Sequence, residues 1–171
     1  MASFLHSCSM LNLVILPDQR LHEPSLPVES IDGALADYVE KMIVTMQEAK
    51  GIGLAGVQVG FLQRVFVVQV PDQSPQVFIN PEILATSDDL GTYEEGCLSI
   101  PGVYADVVRP KALEIQAWNV KGELVKGEID GLLARVFQHE FDHLNGTLFY
   151  EHLKPGTQKR LLKLYEKRNQ S

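Results

Sequence analysis

The stretch Gln138-His139-Glu140-Phe141-Asp142-His143 reads His-Glu-x-x-His. On a helix each residue turns by about 100°, so His139 and His143 share a face, one turn apart. Two imidazoles placed this way grip a single ion. Glu140, beside the first of them, reaches a water on that ion without having to bind the ion itself, which is how a metallohydrolase places its general base. Leu132, Leu133, Ala134, Val136, Phe137, Phe141 and Leu144 make the surrounding segment apolar on nearly every side. A helix of that kind lies inside the protein. Imidazoles and carboxylates there must be paired or bind metal, which favours a metal site over a chance pattern.

An open catalytic site of the zinc type uses three protein ligands and one water. One extension of the motif runs on to a glycine and a third histidine; Gly146 stands where that glycine belongs, but Phe149 occupies the histidine's place. Another takes a downstream glutamate, yet Glu151 lies too near the helix end and Glu166 falls in an exposed last helix. His22 and His152 sit in polar surroundings and read as surface residues. Cys97 remains, in an apolar, strand-like Gly-Cys-Leu run. Alone it is a small buried hydrophobe. With two histidines it forms a set soft enough for zinc or ferrous iron, the sulfur held as thiolate.

The rest of the chain must position these groups. Its 171 residues make one domain, 10–171, behind a loose tail, 1–9, in which His6 and Cys8 have no evident partners. The composition, 45% hydrophobic and 22% charged, is that of an ordinary globular protein. No apolar run approaches a membrane span, and no Lys or Arg precedes Arg20. Two cysteines are too few for a disulfide framework. These features lead us to expect a cytoplasmic protein. The net charge of -7 argues against a DNA-binding surface.

Segment 11–17 reads as a short strand turned by Pro17-Asp18. Ile31, Ala34, Leu35, Tyr38, Val39, Met42, Ile43 and Met46 recur at helical spacing, predicting a long amphipathic helix from Ser30 to Gly51 with its methionines in the core. Four glycines fall within 51–60, without the lysine or strand-to-helix context of a phosphate loop. They mark close approach of backbone to a neighbour or an extended ligand. Gln58, the polar side chain there, is either a structural tie or a donor aimed at a substrate oxygen. Strands are predicted at 64–70, 77–80, 82–86, 103–108, 112–119 and 123–129, with connections short enough for antiparallel pairing. Trp118 reads as packing. Asp130 is the expected N-cap of the histidine-bearing helix, which stops at Asn145-Gly146, and 157–168 form a last amphipathic helix with Leu161, Leu164 and Tyr165 on one side. The fold class is α+β: antiparallel sheets around a central buried metal-binding helix, with a long N-terminal and an amphipathic C-terminal helix.

Three stretches, Gly51-Ile52-Gly53-Leu54-Ala55-Gly56-Val57-Gln58, Glu95-Gly96-Cys97-Leu98-Ser99 and Gln138-His139-Glu140-Phe141-Asp142-His143-Leu144, together resemble the three motifs of bacterial-type peptide deformylase, in order and in rough spacing. Gly56 departs from the family's second alanine. The resemblance implies a hydrolase that removes formate from the N-formyl-methionine end of new polypeptides. Cys97, His139 and His143 would hold one divalent ion, Fe2+ in the cell, with Zn2+, Ni2+ or Co2+ accepted by the same ligands. Glu140 would serve as base and then acid. The Gln58 amide and the Leu98 N–H would face the oxyanion. The peptide would lie as an extra strand between the backbones of Ile52-Gly53 and Gly96, with its methionine near Ile52, Leu132 and Val136. Arg135 would line the entrance or point to solvent, and Asp142 would pair with Arg109. The rival reading is an endopeptidase built on the same helix motif. From His152 onward six basic residues face one acid, Glu166; they form a solvated helix face or a site for docking on the ribosome.

Overall fold

The computed structural model describes residues 9–170. The expected tail falls almost wholly outside them, and His6 and Cys8 do so entirely. Helix α1 is Gly33–Glu48. It starts later than the apolar spacing predicts because Asp32 caps it, its side chain accepting from Leu35 N–H at 2.9 Å. It ends before Lys50, whose φ of 59° leaves the helical region. Strands β1 (Gly53–Ala55), β2 (Val65–Val68) and β3 (Gln76–Thr86) follow, then β4 (Leu90–Cys97), β5 (Ile100–Pro110), β6 (Ala112–Trp118) and β7 (Leu124–Asp130). Helix α2 is Gly131–Leu144 and α3 is Pro155–Arg168. Asp130 does cap α2, through its backbone conformation alone.

All strand pairs are antiparallel, in a five-stranded sheet ordered β1-β2-β3-β6-β7 and a two-stranded sheet of β4 and β5. The strand β2 is buried on both faces: Val65 and Val67 pack with Val39, Met42 and Met46 of α1, while Phe66 packs with Phe137 of α2. A second core joins β5 to the end of the chain through Ile100, Val103, Val107, Phe149, Leu161 and Tyr165. Cys97 packs against this second core.

Four expectations need correction. Segment 11–17 is no strand: Val14 N–H donates to Gln58 and Leu16 N–H to Ser99, so its bonds go to two separate segments and form no ladder. The strands expected at 77–80 and 82–86 are one strand, β3, carried past Pro81 by a register shift between Ile79 and Glu82. Strand β4 lacks apolar alternation, and its pairing with β5 rather than its composition makes it a strand. Trp118 and Leu164 are 38% and 44% exposed, whereas Leu161 and Tyr165 are buried as expected.

Candidate active site

Helix α2 turns His139, Glu140 and His143 inward, and all three are buried. Cys97 closes β4, where a register shift after Gly96 interrupts the regular ladder at the cysteine. Its sulfur lies 3.4 Å from His143 Nε2. One ligand atom each from Cys97, His139 and His143 fall within 4.8 Å of one another. A thiol and two imidazoles at this separation fit one divalent ion of the zinc or ferrous class, and two further observations support the fit. His139 Nδ1 lies 2.8 Å from Glu95 Oε1. An ionised carboxylate only accepts, so Nδ1 carries the proton and Nε2 keeps its lone pair for an ion. Glu140 Oε2 is buried and, among the described residues, has no protein partner, which leaves it open to a water.

Glu95 is the hub of the groups behind the ligands. Arg109 Nε and Nη2 donate to it at 2.7 and 3.0 Å, and Arg135 Nη1 at 2.8 Å. Arg109 Nη1 reaches Asp142 at 2.8 Å, forming the ion pair expected from the sequence. His152, 37% exposed at its side chain, meets Asp142 at 2.7 Å and so is not merely a surface residue. Burial alone would raise the Glu95 pKa; the bonds from His139 and Arg109 outweigh it and hold the carboxyl well below its usual range. For His139 burial opposes the charge, but Cys97 and Glu95 hold the ring well above the usual imidazole value, so an ion bound at Nε2 would have to displace a proton there. Burial and the neighbouring His139 push His143 well below it. Burial pushes Glu140 up to about 7, where a carboxylate can both take and return a proton near neutrality.

The site opens on a cavity of about 490 Å³. Ile52, Gly53, Gly96, Leu132, Arg135 and Val136 all line it, with Gln58, Cys97, Leu98, His139 and Glu140, while His143 sits beneath. Its walls include β1 and β4, each paired on one side only among the described residues. Gln58 Oε1 accepts from Ala55 N–H at 2.9 Å, which fixes the amide so that Nε2 faces Ser99 Oγ at 3.2 Å and Cys97 Sγ at 3.5 Å. The side chain is thus a structural tie that also aims a donor at the cluster of Cys97, His139 and His143. Arg135 does not point to solvent. Its guanidinium is committed to Glu95, Val107 O and Gly91 O and lies over the Tyr93 ring, so the cavity meets a fixed wall there.

Sequence reasoning missed Glu95, although its place two residues before Cys97 puts both on one side of an extended strand. It also missed Tyr93 and Tyr104, exposed aromatics on the cavity wall. Tyr104 lies against Gly96, where an added Cβ would come within 2.6 Å of the ring.

A family model described as polypeptide deformylase matches residues 10–159. The peptide deformylase of Agrobacterium fabrum is 45% identical over 159 residues, covering 91% of this chain and 94% of that protein. That of Bartonella bacilliformis is 48% identical over 166 residues, covering 91% of each. Among solved structures, the Ehrlichia chaffeensis peptide deformylase in complex with actinonin superposes with a TM-score of 0.90 at 36% identity, covering 95% of this chain and 99% of that one. The Synechococcus elongatus enzyme in complex with actinonin gives 0.87 at 41%, covering 91% and 86%. Motifs, fold and relatives agree: the chain belongs to the polypeptide deformylase family.

Proposed function

We propose that this chain removes the N-formyl group from the formyl-methionine end of newly made polypeptides, with Cys97, His139 and His143 holding one divalent ion. The observation that carries the reading is the convergence of these donors with the unpartnered Glu140 oxygen beside an open cavity. When bound, such an ion supplies Lewis acidity, which makes water acidic enough to attack near neutral pH. Ferrous iron is our choice for the ion in the cell.

The chain's own residues do the rest. The peptide enters extended between β1 and β4 and pairs with their free edges, so main-chain bonds carry the binding and many sequences after methionine are accepted. Ile52, Leu132 and Val136 enclose the methionine side chain. Glu140 takes a proton from the attacking water and delivers it to the departing amine. Gln58 Nε2 and the Leu98 N–H face the oxygen on which negative charge develops, positions fixed before the substrate arrives. Products are formate and a free amino terminus.

The test is formate release from a formyl-Met tripeptide by protein purified without oxygen, with Glu140→Gln beside it. Metal-dependent release that disappears in the variant supports the reading. Internal cleavage of an unformylated peptide, with no formate released, would replace it with an endopeptidase.

Two finer points belong to the same reading. Among the described residues no helix is long and apolar enough to cross a membrane, consistent with a cytoplasmic enzyme. Lys159, Arg160, Lys163 and Lys167 of α3 are exposed, a basic face suited to docking on ribosomal RNA. Leu161 and Tyr165 of the same helix are core residues, so the informative variant is Lys159→Glu with Lys163→Glu rather than truncation. Loss of salt-sensitive ribosome co-sedimentation is expected, and unchanged binding would remove the docking role.

A further inference from the structure

Strand β7 ends the five-stranded sheet: it pairs with β6 along its whole length and, among the described residues, has no strand on its other side. All of its residues except Ile129 are exposed. An edge of this kind presents unpaired backbone donors and acceptors to another chain.

The central five residues of the strand, Val125-Lys126-Gly127-Glu128-Ile129, complement their own reverse about Gly127, while Leu124 faces Asp130 at either end. A second copy laid antiparallel sets Lys126 opposite Glu128, Val125 opposite Ile129 and Gly127 opposite itself. The two faces match separately. Val125 and Ile129 share a face with Ala117 and Leu113, their buried partners on β6, whereas Lys126 and Glu128 share the other with Gln116 and Glu114. Apolar side chains therefore meet on the core side and opposite charges on the solvent side.

Two features of the single chain are left without a reason until the second copy is added. Glu128 stands directly across from Glu114, a like-charge pair that opposes β6–β7 pairing, and among the described residues neither carboxylate nor Lys126 makes an ion pair. Lys126 of the second copy would supply the missing cation. Gly127 needs no positive φ, and an added Cβ there would meet nothing within 4 Å, so neither backbone nor packing within one chain calls for glycine. On a two-fold axis, a side chain would confront its own copy.

We propose that β7 is a self-association edge, through which two copies of the chain pair antiparallel about Gly127 and join their sheets. In other registers Lys126 and Glu128 act as the charges that keep edge strands apart; in this one they match. A contact of this size is concentration-dependent rather than permanent.

Sedimentation velocity on the metal-loaded full chain over a concentration series tests it. The parent should pass from monomer towards dimer. Lys126→Glu or Glu128→Lys alone should weaken association at least about tenfold, and the two together should restore it, because the swap preserves complementarity only in this register. Deformylation should be unchanged throughout, since β7 lies at the opposite end of the sheet order from β1. As a second readout, Lys126→Cys and Glu128→Cys proteins mixed under mild oxidation should cross-link to one another faster than either does to itself. A parent that stays monomeric at every concentration, a double variant no better than the singles, or self-cross-links that form as fast as the mixed one would overturn the proposal.

Discussion

Glu95 accepts from His139 Nδ1–H at 2.8 Å and thereby leaves Nε2 of that ring free to face the Cys97 sulfur. The same carboxylate neutralises Arg109 and Arg135, both buried. Glu95→Gln should therefore loosen the ion about 10–100-fold, read as the rate of metal loss to a chelator. It should also cost about 3 kcal/mol of stability in urea unfolding, because buried Arg135 loses its counter-charge and Arg109 keeps only Asp142. Metal retention equal to the parent's would show that the His139 ring is oriented by packing alone.

The sign of the acid dependence follows from the same carboxyl. Its folded pKa is lower than the unfolded value near 4.5, so as the pH falls the unfolded chain binds the proton first. The stabilisation from Arg109, Arg135 and His139 around it is full above that value and is lost as the pH drops towards the folded one. Unfolding free energy measured from about pH 5 to 3 should fall steeply in the parent and less so in Glu95→Gln.

Gln58→Leu removes the donor fixed by Ala55 N–H. On the proposed oxyanion role, turnover should drop about 10²–10³-fold with KM changed far less, since the lost bond would be made to charge that exists only in the transition state. Equal losses in kcat and affinity for the substrate would confine Gln58 to its structural tie.

At Gly53 an added Cβ would lie 2.6 Å from Glu140 Oε1 and 2.7 Å from Val136 Cγ1. Gly53→Ala should displace the base and the edge of β1 together, lowering kcat/KM by more than about tenfold while the fold, judged by circular dichroism, remains. Steady-state kinetics on a formyl-Met peptide check it.

Asp142→Asn weakens one of three bonds to the Arg109 guanidinium and the contact with His152. About 1.5 kcal/mol of stability should be lost, with Glu95 retaining the rest of the clamp. A variant as stable as the parent would make this ion pair energetically idle.

That His139 and His143 meet in the interior was legible because a helix converts a fixed spacing into a shared face, and because so apolar a segment leaves its histidines no solvent to occupy. The period-two pattern of Leu113, Ile115 and Ala117 likewise gave β6, buried on one face as expected. Strand β4 carried no such pattern: it is half of a two-stranded sheet whose outer residues meet water, so only its pairing with β5 identifies it. The role of Glu95 was illegible for a related reason, its partners Arg135 and His139 lying 40 and 44 residues away. Arg135 lines the cavity, one of its two expected placements, but does not face solvent, since three oxygens and an aromatic face receive its guanidinium from segments remote in the sequence.

Cys97 packs with the core of β5 and α3, whereas α2 brings both histidines from the core of the larger sheet. An ion held by all three would thus be a cross-link between two packed regions that each have an interior of their own. Oxidation of that one sulfur would then remove a ligand and a tie at once, leaving the Glu95 bonds to Arg135 and His139 and the Arg109 bond to Asp142 to hold β4 and β5 to α2.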